Sequence, residues 1–156
     1  MSTLRAEQLD TGEDLLKAGR IVITAPVNLV FDILANPHRH PEFDGSRTLI
    51  RNFFGPEKLY LGAKFGMKMR IRIPYRITNT CVEFNVNSSI AWRHFGHHIW
   101  RYELLELDSL HTQVTEFFDG RPARSQYWLR KINAYQNNQK AILKSLVRLK
   151  ELLEAR

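Results

Sequence analysis

From Trp128 to Leu153, the residues Trp128, Ile132, Tyr135, Gln139, Ile142, Leu146, Leu149 and Leu153 follow one another at alternating steps of four and three. All but Gln139 are apolar. This spacing places them on one face of a helix, so the C-terminal part of the chain is expected to be a single helix of about thirty residues, roughly 45 Å long. A stripe of that length needs a surface to bury it. Lys131, Lys140, Lys144, Arg148 and Lys150 fall mostly off the stripe and are expected to face solvent. The same spacing also suits a coiled coil, so a monomer and a homodimer are both compatible with it.

The partner surface is found upstream, where the pattern changes to strands. Residues 1–17 are polar and mixed in charge and read as an arm, loose or briefly helical, ahead of one domain over 18–156. Residues 20–24 are β-branched and make a first strand. Pro26 then suits the first turn of a short helix carrying Val27, Val30, Phe31 and Leu34, which Asn36-Pro37 stops. Residues 38–45 read as one helical turn and a loop.

Strands are expected at 47–54, 65–73, 78–86, 90–95, 98–107 and 111–119. In the second of these, Phe65, Met67, Met69, Ile71 and Ile73 alternate with Gly66, Lys68, Arg70 and Arg72, the pattern of a half-buried strand that Pro74 ends. Short turns between successive strands favour antiparallel pairing. The expected fold is therefore α+β: a curved antiparallel sheet of about seven strands, two short helices, and a long C-terminal helix laid across the sheet.

A twisted sheet cannot meet a straight helix over its whole area, so a pocket is expected near one end of the helix. Met67, Met69, Trp92, Trp100, Tyr102, Glu116, Phe118, Trp128 and Tyr135 are the residues expected to line it. Methionine and aromatic walls suit an apolar guest, and they also suit an ordinary core. Glu116 shares a face with Val114 and Phe118. A carboxyl aimed into an apolar cavity gains a raised pKa and serves as an acid, a base or an anchor for a ligand hydroxyl; a shifted register would instead put it in solvent or beside Arg93 or Arg101. Tyr102 and Tyr127 are candidate phenols at the wall, and Gln139 is a candidate third anchor or an edge residue of the helix.

Several segments together resemble the START-like polyketide cyclase/dehydrase superfamily (SRPBCC), the helix-grip fold also seen in birch-pollen-type allergens. They are residues 23–27 (ITAPV), 30–34 (VFDIL), 36–46 (NPHRHPEFDGS), 62–67 (GAKFGM), 90–94 (IAWRH), 100–104 (WRYEL) and 112–116 (TQVTE). The resemblance covers nearly everything after residue 17. It implies an internal cavity for a hydrophobic small molecule such as a lipid, sterol, isoprenoid or aromatic polyketide, held for transport or sequestration. It also implies a rival, a cyclase/dehydrase-type enzyme using pocket acid and base groups. No short catalytic motif matches, so catalytic residues stay unassigned.

The remaining chemistry is sparse. Of six histidines, His94, His97 and His98 cluster near a turn and His38 and His40 share a loop; adjacent strand residues point to opposite faces, and no metal site or cofactor is assigned. Cys81 has no evident catalytic partners, and one cysteine among 156 residues fits a cytoplasmic setting. No apolar run approaches the roughly 20 residues of a transmembrane helix. The net charge of +7 admits an anionic partner. A basic module binding RNA or a membrane surface through the Lys140, Lys144 and Arg148 ridge is a third reading. The interleaved aromatics that RNA would favour are missing, so nucleic acid is not the expected partner.

Overall fold

The computed structural model describes residues 5–155, the side chain of Phe53 aside; residues 1–4 of the expected arm and Arg156 lie outside the described residues. Within that arm, Glu7–Leu9 is a strand, β1, not a coil or a helix. β2 (Leu16–Ile23) follows and pairs with it. Pro26 stands before α1 (Val27–Leu34), which buries Val27, Val30, Phe31, Ile33 and Leu34. The Asn36 side chain accepts the His38 N–H and opens a 3-10 helical turn, Pro37–Glu42.

Six strands come next: β3 (Leu49–Phe54), β4 (Lys64–Arg70), β5 (Pro74–Asn85), β6 (Ser89–Arg93), β7 (Ile99–Asp108) and β8 (His111–Asp119). The sheet thus has eight strands, in the order β1-β2-β8-β7-β6-β5-β4-β3, all antiparallel. Five hairpin steps run β3 to β8 as a meander, and β2 closes on β8 across α1, the 3-10 turn and the other five strands of the meander. β4 ends three residues earlier than its alternation predicts. Pro74 opens β5 instead of closing β4, so Ile71 and Ile73 sit in the hairpin turn and are exposed.

The expected thirty-residue helix is two helices. α2 (Gln126–Lys131) starts at Ser125, whose Oγ accepts the Trp128 N–H at 3.2 Å. Asn133 then adopts a left-handed conformation, φ 56°, and α3 (Ala134–Glu154) begins anew. Asparagine tolerates that conformation better than most residues, and it turns the helix axis without disturbing the spacing along the sequence. Trp128, 56% exposed, and Ile132 therefore leave the seam, while Ile142, Leu146, Leu149 and Leu153 stay on it and are buried.

α3 grips the sheet at close range. A Cβ on Gly19 of β2 would stand 2.9 Å from Ile142 Cγ2, and one on Gly45 would stand 2.5 Å from the Ser145 backbone N. Polar ties pin the contact. Gln139 Nε2 donates to Ala18 O (3.1 Å), Ser145 Oγ accepts the Gly45 N–H (2.7 Å), and Arg148 Nη1 donates to Asp44 O (2.6 Å). Lys150 was expected in solvent but is 3% exposed: its ammonium donates to Val22 O and Glu154, and Glu154 accepts the Thr24 N–H. A long stem lets a lysine lie along apolar surface while its head finds acceptors at the rim. This is the helix-grip architecture.

Candidate functional site

Strand register builds the inner wall. Trp92, Trp100 and Phe118 stand in one row across β6, β7 and β8; Ile90, Tyr102, Glu116 and Gly19 stand in the next. Because side chains alternate along a strand, both rows face α3 and the 3-10 turn. Glu116 is 2% exposed, which excludes the solvent and arginine alternatives. Arg101 lies on the other face, paired with Glu83 and Glu103 and seated over the Phe117 ring.

The 3-10 turn brings to this wall a residue, His40, that the local pattern assigns to a loop. His40 is buried and stacks on Trp92, ring centroids 4.6 Å apart, with Phe43 and Phe65 edge-on to it. Its Nε2 lies 2.8 Å from Leu34 O. A carbonyl only accepts, so Nε2 carries the hydrogen and Nδ1 keeps its lone pair. Burial pushes the His40 pKa down to about 4, which keeps the ring neutral. Nothing in the sequence pattern signalled this burial: it arises because the turn folds back under the β4–β6 wall.

Glu116 is shifted the other way. Burial drives its pKa well above the usual carboxylate range; the Tyr102 phenol opposes the shift and the Asp44 charge adds to it. Burial likewise raises Tyr102 well above an ordinary phenol, with Glu116 next in effect. Phe43 meets Tyr102 edge-on at 6.4 Å. One interior therefore holds a carboxyl whose burial favours the protonated form and an imidazole whose burial favours the neutral form.

Three polar groups here have atoms with no partner: Glu116 Oε1, His40 Nδ1, and both amide atoms of Asn52 on β3. Buried polar atoms are nearly always satisfied, so each of these atoms is a candidate contact for a ligand or a bound water. Asn52 stands opposite Met67, whose sulfur already accepts from Asn79.

The other expected lining residues divide. Met67, Trp92, Tyr102 and Phe118 are buried on the inner wall; Met69, Trp100 and Tyr135 pack on it from its edge. Tyr135 is committed structurally, its phenol donating to Gln126 Oε1 at 2.6 Å and lying over Gly120. Trp128 does not belong to the site: the break at Asn133 carries it into solvent. Tyr127 is exposed too. Gln139 is taken by Ala18 O and is a helix-to-sheet tie rather than a ligand anchor.

The histidine turn is self-contained, with His94 and His98 edge-to-face at 4.4 Å and Arg124 donating to His97. Among the described residues, no group of three His, Cys, Asp or Glu is arranged to hold a metal ion. Cys81 is buried with its pKa pushed up to about 11 by burial, the opposite of an activated thiol. Two open clefts of about 370 and 360 Å³ lie on the sheet face turned away from α3; one is lined by Lys64, Thr80, Arg93 and His94, the other by Glu103, Gln113 and Thr115. Neither includes Glu116, Tyr102 or His40.

No family model matches the chain. It is 41% identical over 104 residues to the uncharacterised protein Rv0088 of Mycobacterium tuberculosis, a stretch that makes up 66% of this chain and 46% of that protein. The chain thus spans about half the length of the curated relatives it matches. Among solved structures, protein Ms6760 of Mycobacterium smegmatis superposes with a TM-score of 0.67 at 14% identity, covering 97% of this chain and 98% of that one. The polyketide-cyclase-like protein Cgl2372 of Corynebacterium glutamicum superposes with a TM-score of 0.63 at 21% identity, covering 90% and 92%. Likeness at these identities establishes the fold alone, the one this chain shares with Ms6760 and the polyketide-cyclase-like Cgl2372.

Proposed function

We propose that the chain binds a hydrophobic small molecule, of the lipid, sterol, isoprenoid or aromatic polyketide kind, between the inner wall and the Pro37–Gly45 segment. The observation that carries this reading is Glu116: a fully buried carboxyl with an unpartnered oxygen, set among aromatic residues. Burial of apolar ligand surface supplies the affinity, and the protonated carboxyl donates to a ligand hydroxyl or carbonyl. His40 Nδ1, on the ring stacked against Trp92, offers an acceptor. Entry requires the segment between the 3-10 turn and β3 to lift from the sheet, against the ties that Ser145 and Arg148 make to it. A cytoplasmic setting belongs to this reading, supported by the lone, buried Cys81; no helix among the described residues is long and apolar enough to cross a membrane.

Native mass spectrometry of the purified protein, followed by solvent extraction, is expected to show a bound apolar species. A naphthalene dye that carries a carbonyl is expected to compete with it and to bind about fivefold more weakly to Glu116→Gln, at about 1 kcal/mol for a hydrogen bond of ordinary strength. A protein that binds neither a co-purifying species nor the dye would sink the reading.

A second reading, an acid–base enzyme of the cyclase/dehydrase kind, is favoured by the opposed shifts of Glu116 and His40. Paired groups driven apart in this way are how one site keeps both a proton donor and a proton acceptor near neutral pH. It requires turnover of a defined substrate that disappears in Glu116→Gln while dye binding persists.

A further inference from the structure

The β4–β5 hairpin carries a feature that neither the core nor the interior site explains. Ile71 and Ile73 at its turn are 66% and 76% exposed, and Ile50 and Tyr75 beside it are also exposed. Isoleucines standing this far out, side by side, are unusual on a water-facing surface. They alternate with Arg70 and Arg72. Register places more charge against them: Arg70 faces Pro74, Lys68 faces Arg76, and Arg51 of β3 faces Lys68. Between Glu57 and Glu83 the sequence holds no acidic residue, yet it holds Lys58, Lys64, Lys68, Arg70, Arg72 and Arg76. Among the described residues, no carboxylate pairs with Arg51, Lys68, Arg70 or Arg72.

We propose that this hairpin tip docks the protein on an anionic lipid surface, with Ile71 and Ile73 entering the acyl boundary and the flanking arginines and lysine meeting the headgroups. Two observations single out that partner. The charge is of one sign, and no carboxylate among the described residues meets Arg51, Lys68, Arg70 or Arg72, so it disfavours a second copy of the same patch. The two residues at the turn itself, Ile71 and Ile73, are aliphatic, which suits insertion between lipids; stacking on unpaired bases would call for several aromatic rings, and the exposed Tyr75 beside them supplies one. Met69 and Ile77, partly buried against the core, lead from the tip toward Met67 and the inner wall. A ligand leaving a bilayer would follow that path, a corollary that rests on the interior-ligand reading; docking itself does not.

The test is co-sedimentation with vesicles of phosphatidylcholine alone and of an equal mixture of phosphatidylcholine and phosphatidylglycerol. Binding is expected to the mixture only, and to weaken as salt rises. Arg70→Gln with Arg72→Gln is expected to lower partitioning about thirtyfold, at about one kcal/mol per basic residue near the surface. Ile71→Ser with Ile73→Ser is expected to lower it at least about tenfold. All four side chains lie outside the core, so the melting curves are expected to stay unchanged, and the arginine pair tests the tip even if the isoleucine pair misfolds. Equal binding to both vesicle types overturns the proposal, as does binding that both double variants leave intact. So does a finding that the isoleucine pair abolishes only self-association, or that the arginine pair abolishes only RNA binding. Dye uptake measured in the same samples separates the two readings: dye uptake without vesicle binding removes docking alone, and vesicle binding without dye uptake removes the interior ligand alone.

Discussion

The two halves of the sheet differ in how completely their polar groups are answered. Under α3, on the β1-β2-β8 side, Gln139 is tied to Ala18 and Lys150 to Val22 and Glu154, and at the end of β8 Thr112 is tied to Ala25. On the β3-β4-β5 side the cover is the 3-10 turn, and there Asn52 and His40 keep atoms without partners. The same side bears the exposed isoleucines. Glu116 sits at the boundary, on β8 but facing Tyr102 and Asp44. A helix laid at close range on a sheet makes a half that is optimised for holding; a short turn makes a half whose polar accounting closes only with something added.

The comparison yields measurable contrasts. The largest is expected at Leu146, fully buried on the face of α3 that meets the sheet: Leu146→Ala is expected to lower stability by about 3 kcal/mol, read from urea midpoints. A loss below about 1 kcal/mol would show that the gripped half is as loosely packed as the other.

Acid is expected to act on the opposite half. His40 has a native pKa of about 4 against 6.5 when unfolded, so between those values the unfolded chain binds the extra proton and stability falls as pH drops. The loss from pH 7 to pH 4 is about 3 kcal/mol. His98, also pushed down to about 4 by burial, acts in the same window. His40→Phe is expected to reduce the acid slope without removing it, and an unchanged slope would mean that His40 is not held neutral.

Glu116 has the reverse linkage. Its native pKa is raised, so the folded chain holds the extra proton: its stability contribution is whole below about 4.5 and declines as pH rises from there toward the raised value. The slope is at most about 1.4 kcal/mol per pH unit. Glu116→Gln is expected to flatten this decline while weakening dye binding, a combination that a purely structural residue would not show.

Smaller effects test the seam and its end. Gln139→Ala is expected to lower stability by about 1 kcal/mol through the orphaned Ala18 carbonyl, with dye binding unchanged. Trp128→Ala is expected to stay within about 0.5 kcal/mol and to leave dye binding intact. A loss of dye binding there would return Trp128 to the site from which its exposure removes it.

Much of this was legible in the residues themselves. Alternation and turn signals located the six strands from 47 to 119, and the helical stripe identified Ile142, Leu146, Leu149 and Leu153 as the gripping face, because burial on one side imposes a period whatever lies opposite. The inward phase of Val114, Glu116 and Phe118 followed from the same rule. Local pattern alone could not pair β2 with β8, since that contact joins strands with the whole β3-to-β8 meander between them in sequence. It could not see the axis turn at Asn133, because a single left-handed residue leaves the 4-3 spacing undisturbed. Nor could it bury His40 or free Ile71 and Ile73, since those outcomes depend on where a 3-10 turn and a hairpin end come to rest against the sheet. Periodicity determined which faces are apolar; the three-dimensional packing decided which of those faces were covered, and so where the unanswered polar and apolar groups remain.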